Sequence, residues 1–372
     1  MTSDRFAAAV FGTRLERVRA SMVEKGIEAL FLSLGADLPW LTGYEAMPLE
    51  RLTMLVVPAE GEVPTLVVPA LEAPRVVERP EIFRLRPWAE TEDPVGIVAS
   101  LAGDAHHLAI SDRAWATFVV RLQSLLPGRR WALSSSVCSA LRAVKDPAEA
   151  EALAKAGASA DRVAEALLGG DIALVGRTER EVSAEISRRL LEEGHDRVNF
   201  AIVASGPNAA SPHHEPSDRI IERGEPVVCD FGGVLDGYCS DTTRTVFTGE
   251  PPASLRRIYE TVLAAQQAGV AAAAVGTPCQ EVDRASRRVI EDAGYGQYFV
   301  HRTGHGIGRE EHEDPYMVEG NADCIVAGHA FSVEPGIYVP GQYGVRIEDI
   351  VLATAQGPRS LNVSNHSLAV IG

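Results

Sequence analysis

Residues 227–247 read Val-Val-Cys-Asp-Phe-Gly-Gly-Val-Leu-Asp-Gly-Tyr-Cys-Ser-Asp-Thr-Thr-Arg-Thr-Val-Phe. Two β-rich runs flank Asp236-Gly237, a favoured hairpin dipeptide. Side chains on a strand alternate between faces, so the turn register sets the neighbours of Asp230. A two-residue turn at Leu235-Asp236 puts Asp230 directly opposite Asp241; a turn at Asp236-Gly237 makes them diagonal neighbours. Both registers place the two carboxylates on one face. Asp230 lies inside an apolar run, where an uncompensated carboxylate is costly, and a second carboxylate beside it is repelled. A divalent cation resolves both problems. The plainer alternative is one loop aspartate and one surface aspartate paired to Arg244.

The pattern recurs near the C-terminus. Residues 331–339 read Phe-Ser-Val-Glu-Pro-Gly-Ile-Tyr-Val, and residues 345–351 read Val-Arg-Ile-Glu-Asp-Ile-Val. A hairpin centred on Gly341 sets Glu334 opposite Glu348, with Arg346 on the same face and Asp349 on the other. Between the two hairpins, residues 301–308 read His-Arg-Thr-Gly-His-Gly-Ile-Gly and are followed by His312-Glu313. Glycines beside His305 would let backbone come close to a bound group. The segment is no phosphate loop, because the Lys-Ser/Thr ending is missing, and no His-Glu-x-x-His zinc helix. Upstream, Ser211-Pro212-His213-His214-Glu215-Pro216 is a constrained loop just before the Asp230 strand; either histidine could face a site.

Asp230, Asp241, Glu334 and Glu348 with one histidine make a hard, oxygen-rich donor set. Four carboxylates balance two divalent ions. Such a set favours Mn²⁺, Co²⁺, Fe²⁺ or Zn²⁺ over a thiolate-type zinc site. Two ions about 3.5–4 Å apart can bind a bridging water and polarise a carbonyl, which is a hydrolase design.

The surrounding chain fits a two-domain protein. Its 372 residues carry 35 Lys+Arg against 51 Asp+Glu, a net charge of −16. That balance argues against a partner gripped by its phosphates and against an anionic membrane surface. No run of about 18 apolar residues is present for a membrane span. The N-terminal stretch, apolar only from Phe6 to Phe11, reads as no secretory signal. Five cysteines without a Cys-x-x-Cys pair read as small buried hydrophobes in a reducing, cytoplasmic setting. The first part, residues 1–140, alternates helical and strand patterns: a helix over Arg14–Lys25 stopped by Gly26, then strands over Ala29–Leu34, Leu52–Pro58, Thr65–Pro69 and His107–Ser111. It carries no clustered chemistry; Asp37, His106, His107 and Asp112 are scattered. Asp146-Pro147 marks a break, and residues 141–372 read as α+β. Helices are expected over Ala148–Leu168, Val182–Leu191 behind a Thr178-x-x-Glu181 capping box, Ser254–Val275 and Gln280–Ala293.

Taken in order, Asp230-Phe-Gly, Tyr-Cys-Ser-Asp241-Thr-Thr-Arg-Thr, Gly-His305-Gly-Ile-Gly, His312-Glu313, Val-Glu334-Pro-Gly-Ile-Tyr and Gly-Val-Arg346-Ile-Glu348-Asp resemble the pita-bread metallopeptidases: methionine aminopeptidase, aminopeptidase P, prolidase and their non-peptidase relative creatinase. The resemblance implies an α/β N-terminal domain of the creatinase/prolidase type and an α+β pita-bread C-terminal catalytic domain. It implies a dinuclear centre with Asp230, Asp241, His305, Glu334 and Glu348 as ligands, Asp241 and Glu348 bridging. Glu334 would also shuttle the proton of the attacking water. His213, ahead of its competitor His214, and His312 would contact the substrate and the tetrahedral intermediate. His301 would line the pocket, and Arg346 would hold Glu348 or the substrate.

The wording around Glu334 and Glu348, with the extra N-terminal domain, looks like the proline-directed enzymes. The function implied is therefore a cytoplasmic, homodimeric Xaa-Pro peptidase, prolidase or aminopeptidase P-like, using two divalent ions, Mn²⁺ first and Co²⁺, Zn²⁺ or Fe²⁺ otherwise. A metal-bridged hydroxide would attack the carbonyl before proline in a peptide or dipeptide. Arg309-Glu310-Glu311 departs from the more apolar stretch expected in prolidases. The alternatives are a hydrolase of another small amide or cyclic amidine on the same scaffold, and a non-catalytic binding protein that kept the fold.

Overall fold

A computed structural model describes residues 8–371; Phe6 and Ala7 of the apolar N-terminal stretch lie outside them. Packing divides the chain into Met1–Arg142 and Ala143–Gly372.

In the first unit, helix α1 (Ala8–Lys25) leads into a six-stranded sheet of β1 (Ala29–Leu32), β2 (Met54–Pro58), β3 (Thr65–Pro69), β4 (Arg84–Trp88), β5 (His107–Ile110) and β6 (Arg130–Leu133), in the order β4-β3-β2-β1-β5-β6. The remaining helices are α2 (Asp37–Thr42), α3 (Pro94–Leu101), α4 (Ala116–Leu125) and α5 (Ser135–Ala143). Strands β1, β2, β3 and β5 are largely continuous apolar runs because both their faces are covered. Leu30, Leu32, Leu55 and Val57 pack on one side with Leu15, Val18 and Met22 of α1. Ala29, Phe31, Met54 and Val56 pack on the other with Val95 and Val98 of α3 and Leu122 of α4. Strand β1 stops at Leu32 rather than Leu34: Ser33 turns its hydroxyl to Thr53 O and its N–H to Ser111 Oγ.

The second unit contains α6 (Pro147–Leu168), α7 (Glu179–Glu192), α8 (Ala253–Ala272) and α9 (Cys279–Asp292). Asp146 caps α6, and the Thr178–Glu181 capping box opens α7. The first sheet joins β7 (Arg197–Ser205), β8 (Pro226–Leu235), β9 (Tyr238–Cys239) and β10 (Thr242–Phe247). The second joins β11 (Gly304–Gly306), β12 (Glu313–Met317), β13 (Ala330–Val333), β16 (Asp349–Thr354) and β17 (Gly357–Ser360). Strands β14 (Gly336–Val339) and β15 (Tyr343–Arg346) pair with each other, and β18 (Ala369–Val370) pairs with β10.

Each large sheet turns one face to helices. Val227, Cys229 and Phe231 of β8 pack with Val163 and Leu167 of α6 and with Val182 and Ile186 of α7. Phe331 and Val333 of β13 pack with Cys279 and Val282 of α9. Period-two alternation then sends Asp230, Ser332 and Glu334 to the opposite faces. All five cysteines are unpaired; four are buried, as expected of small hydrophobes, and Cys324 is exposed. No helix among the described residues is long and apolar enough to cross a membrane.

Candidate active site

The first hairpin takes the Asp236-Gly237 turn. Both turn residues have positive φ, 57° and 81°, as a two-residue primed turn requires. Asp230 therefore pairs with Thr243, and Asp241 is its diagonal neighbour on the same face, just before β10 begins. Arg244 does not pair with Asp241. It is fully buried and bonds Asp349 Oδ1 at 2.8 Å and Glu348 O at 2.6 Å.

The second hairpin keeps the expected register in two pieces. Val333 pairs with Asp349 and Gly336 with Arg346. Between them, Glu334-Pro335 leaves the ladder, because Pro335 has no N–H to give it. Glu334 N donates to Thr303 O, and Glu348 instead bridges to Thr243 of the first hairpin. The break carries Glu348 across to the Asp230–Asp241 face.

A cavity of about 500 Å³ receives these groups; its walls include Asp230, Asp241, Glu334 and Glu348, with His213, His301, His305, His312 and Arg346. One donor atom each from Asp241, His305 and Glu348 lies within 4.8 Å of the others. His305 Nε2 stands 3.3 Å from Glu334 Oε1 and 3.7 Å from Asp241 Oδ2. Its Nδ1 faces Gly306 O at 3.2 Å, which leaves Nε2 turned toward the carboxylates. Asp230 is taken by Arg346, Nη2 to Oδ2 at 2.6 Å. Arg346 thus bonds Asp230 directly and reaches Glu348 through Thr243, whose Oγ1 donates to Glu348 Oε2 at 2.6 Å while accepting from Arg346 Nε at 3.1 Å.

The glycines beside His305 serve a different neighbour from the one expected. A Cβ at Gly304 would lie 1.8 Å from Ser332 O, and one at Gly306 would lie 2.2 Å from Asp314 O. They admit the backbone of the flanking strands.

The donor chemistry fits divalent cations. Burial, then the neighbouring carboxylates, push Asp241 and Glu348 well above the usual carboxylate range. Burial also raises Asp230, against the pull of Arg346. For Glu334, burial works in the same direction, but the hydrogen bond and charge of His305 outweigh it and hold the group low. Buried Asp230 Oδ1 and Glu348 Oε1 have no hydrogen-bond partner. Native structures rarely leave such atoms unmet, and two cations among these oxygens would satisfy the orphans and remove the repulsion together.

The other histidines separate by environment. His213 is exposed in the cavity wall, whereas His214 turns away and bonds Glu179 at 2.7 Å. His301 Nδ1 faces Arg302 O at 2.7 Å and Nε2 faces Tyr338 OH at 2.9 Å. Desolvation, then the charges of His305 and Arg302, lower His312 to about 4. Its ring lies 4.0 Å from that of His305.

Several residues escaped the sequence reading. Tyr338 links His301 to Arg346 through its hydroxyl and, pushed up to about 12 by burial, keeps its proton. Its position in Glu-Pro-Gly-Ile-Tyr on the Glu334 face was the available signal. Glu311 and Arg302 also line the cavity, so the charged departure at Arg309-Glu310-Glu311 reaches the wall. Arg309 itself lies over the Tyr238 ring.

Comparison with known proteins agrees with this geometry. The model of metallopeptidase family M24 matches residues 151–355, and that of the creatinase/prolidase N-terminal domain matches residues 14–144. A probable dipeptidase PepE of Mycobacterium tuberculosis is 42% identical, over 100% of this chain and 99% of that protein. A Xaa-Pro dipeptidase of Lactobacillus helveticus is 35% identical, over 96% and 98%. The crystal structure of dipeptidase PepE from Mycobacterium ulcerans superposes with a TM-score of 0.90 at 43% identity, covering 99% of each chain.

Proposed function

The chain belongs to metallopeptidase family M24, and from that premise we propose that it is a Xaa-Pro dipeptidase, hydrolysing the bond before proline in a dipeptide. The observation that carries the reading is the cavity in which four acidic side chains and His305 converge while Asp230 Oδ1 and Glu348 Oε1 lack partners. Asp230, Asp241, His305, Glu334 and Glu348 would hold two divalent ions, which would supply Lewis acidity toward the scissile carbonyl.

The protein's own groups do the rest. Glu334 accepts a proton from the attacking water at a carboxylate oxygen and returns it to the proline nitrogen as the C–N bond breaks. His213 and His312 stand in the wall to donate to the oxyanion of the tetrahedral intermediate. Arg346 fixes Asp230 and, through Thr243, Glu348. Phe200, Ile202 and Val318 offer an apolar patch suited to the pyrrolidine ring. The substrate's imide nitrogen has no N–H, so recognition cannot depend on that donor.

Arg302 supports a dipeptide over a longer peptide. It lines the cavity above the Tyr316 ring, 4.5 Å from the centroid, and among the described residues its side chain has no hydrogen-bond or ion-pair partner. Ring contact uses the charge and none of the five N–H donors. A proline carboxylate would use them, in a cavity whose five acidic side chains otherwise repel an anion.

Manganese is the first choice of metal for this oxygen-rich set, with Co²⁺, Zn²⁺ and Fe²⁺ as substitutes. Unpaired cysteines support a reducing cytoplasm. Family likeness supports a homodimer, read as twice the chain mass by light scattering, with residues 1–140 and 141–372 as its two domains. Hydrolysis of Ala-Pro against Ala-Pro-amide and a Xaa-Pro tripeptide, with each metal in turn, tests the proposal. Preference for Ala-Pro is expected. Cleavage of a non-proline amide alone would replace the substrate and keep the metal centre.

A further inference from the structure

Glu179 lies on the first turn of α7, in neither hairpin, and its side chain is wholly buried. Six groups donate to its two oxygens. Oε1 accepts from Ser205 N at 2.8 Å, Ser205 Oγ at 2.8 Å and Asn208 Nδ2 at 3.0 Å. Oε2 accepts from His214 Nε2 at 2.7 Å, Ser217 N at 3.1 Å and Ser217 Oγ at 2.7 Å, and shares Asn208 Nδ2 at 3.1 Å. Every one of these donors comes from residues 205–217, the loop that carries Pro212 and His213 into the cavity wall. A buried carboxylate with this many donors is fully compensated and holds its partners in one arrangement.

The loop is gripped from the cavity side as well. Arg346 Nη1 donates to Pro212 O at 3.3 Å. His213 therefore sits between two fixed points, Pro212 held by Arg346 and His214 held by Glu179. Two adjacent histidines have opposite tasks, one serving the wall and one serving as a tether.

We propose that Glu179, through His214, is the positioning residue for His213, setting where that imidazole meets the substrate's reacting carbonyl. The assignment rests on the peptidase reading and on His213 touching the substrate. Glu179 itself touches neither substrate nor metal ligands. Its effect is transmitted by the tether, so it should vanish when His213 is absent.

A double-mutant cycle on the metal-loaded protein with Ala-Pro tests this. Glu179→Gln keeps the shape and removes the charge. It should lower kcat by at most the roughly 10²- to 10³-fold that loss of one oxyanion donor costs, with metal content unchanged and KM little altered. His214→Ala, which removes that donor and leaves the other five donor groups in place, should fall in the same direction by less. On a His213→Ala background, Glu179→Gln should cost nothing further. Equal losses with and without His213 would overturn the proposal and leave Glu179 a structural residue only. So would a fall in metal content, or a loss that appears in KM alone. If Glu179→Gln does not fold, the His214→Ala and His213→Ala cycle decides by the same criterion. Wild-type protein that binds metal but cleaves no Xaa-Pro substrate would overturn the peptidase reading instead, a result distinct from any of these.

Discussion

The two acidic hairpins of the second unit reach one cavity by different routes. In the first, a two-residue Asp236-Gly237 turn propagates an unbroken register as far as Asp230 and Thr243. In the second, a looser loop around Gly341 starts a ladder that Pro335 interrupts, so Glu334 and Glu348 leave it and find partners in Thr303 and Thr243. One hairpin presents its carboxylates by regularity and the other by a break. The cost of the break is made good by Arg346 and Thr243, which tie the second hairpin to the first.

That difference orders the expected effects of mutation. Glu334→Gln would remove the proposed proton acceptor and metal ligand from the broken hairpin. It should lower kcat/KM on Ala-Pro by about 10²- to 10⁴-fold, with Asp241→Asn at least as severe; full activity in either would sink the mechanism. Thr243→Val removes the hydroxyl joining the hairpins and should cost roughly 10- to 100-fold in metal affinity or activity, measured by competition with a chelating dye. An unchanged affinity would show that Glu348 needs no help from the first hairpin.

The turns themselves give a smaller contrast. Gly237 and Gly341 both have positive φ, but a Cβ on Gly237 would lie 2.9 Å from Arg309 Nη2, while Gly341 has nothing within 4 Å. Gly341→Ala should cost about 1–2 kcal/mol from φ alone, and Gly237→Ala should cost more, as read from melting temperatures. Equal shifts would mean that Arg309 simply moves aside.

The smallest effect concerns the loop ahead of the first hairpin. Burial would raise Glu179, but the hydrogen bonds from Ser217, Ser205 and His214 hold it at about 2. Its folded value is below the unfolded one, so its contribution to stability is complete above the ordinary glutamate range and fades as pH falls toward 2. The other ionisable groups bonded into this network are His214, Arg219 and, through Arg219, Glu225. Metal-free Glu179→Gln should therefore lose less melting temperature than wild type between pH 5 and pH 2; parallel curves would contradict the assignment.

Much of this was legible in the sequence because it follows from short-range rules. Alternation placed Asp230 and Glu334 on the faces opposite the helices, and the Asp-Gly dipeptide already favoured the turn that the structure adopts. What escaped depends on contacts between distant segments. Strands β4 and β6 were missed because Arg84, Arg86 and Arg130 interrupt their apolar pattern. The direct bond from Arg346 to Asp230, and its link to Glu348 by way of Thr243, were not foreseen, because they join segments more than 100 positions apart. Glu179 gave no local sign, since its six donors all come from a loop that only the folded chain brings to it.

The central claim is that the two hairpins together hold two divalent ions. Elemental analysis by mass spectrometry of the protein reconstituted with Mn²⁺ and freed of loose metal tests it most directly. Close to two ions per wild-type chain, falling in Asp241→Asn, is the predicted result. A wild-type chain that retains no stoichiometric metal, or an Asp241→Asn variant that retains as much as wild type, would contradict it.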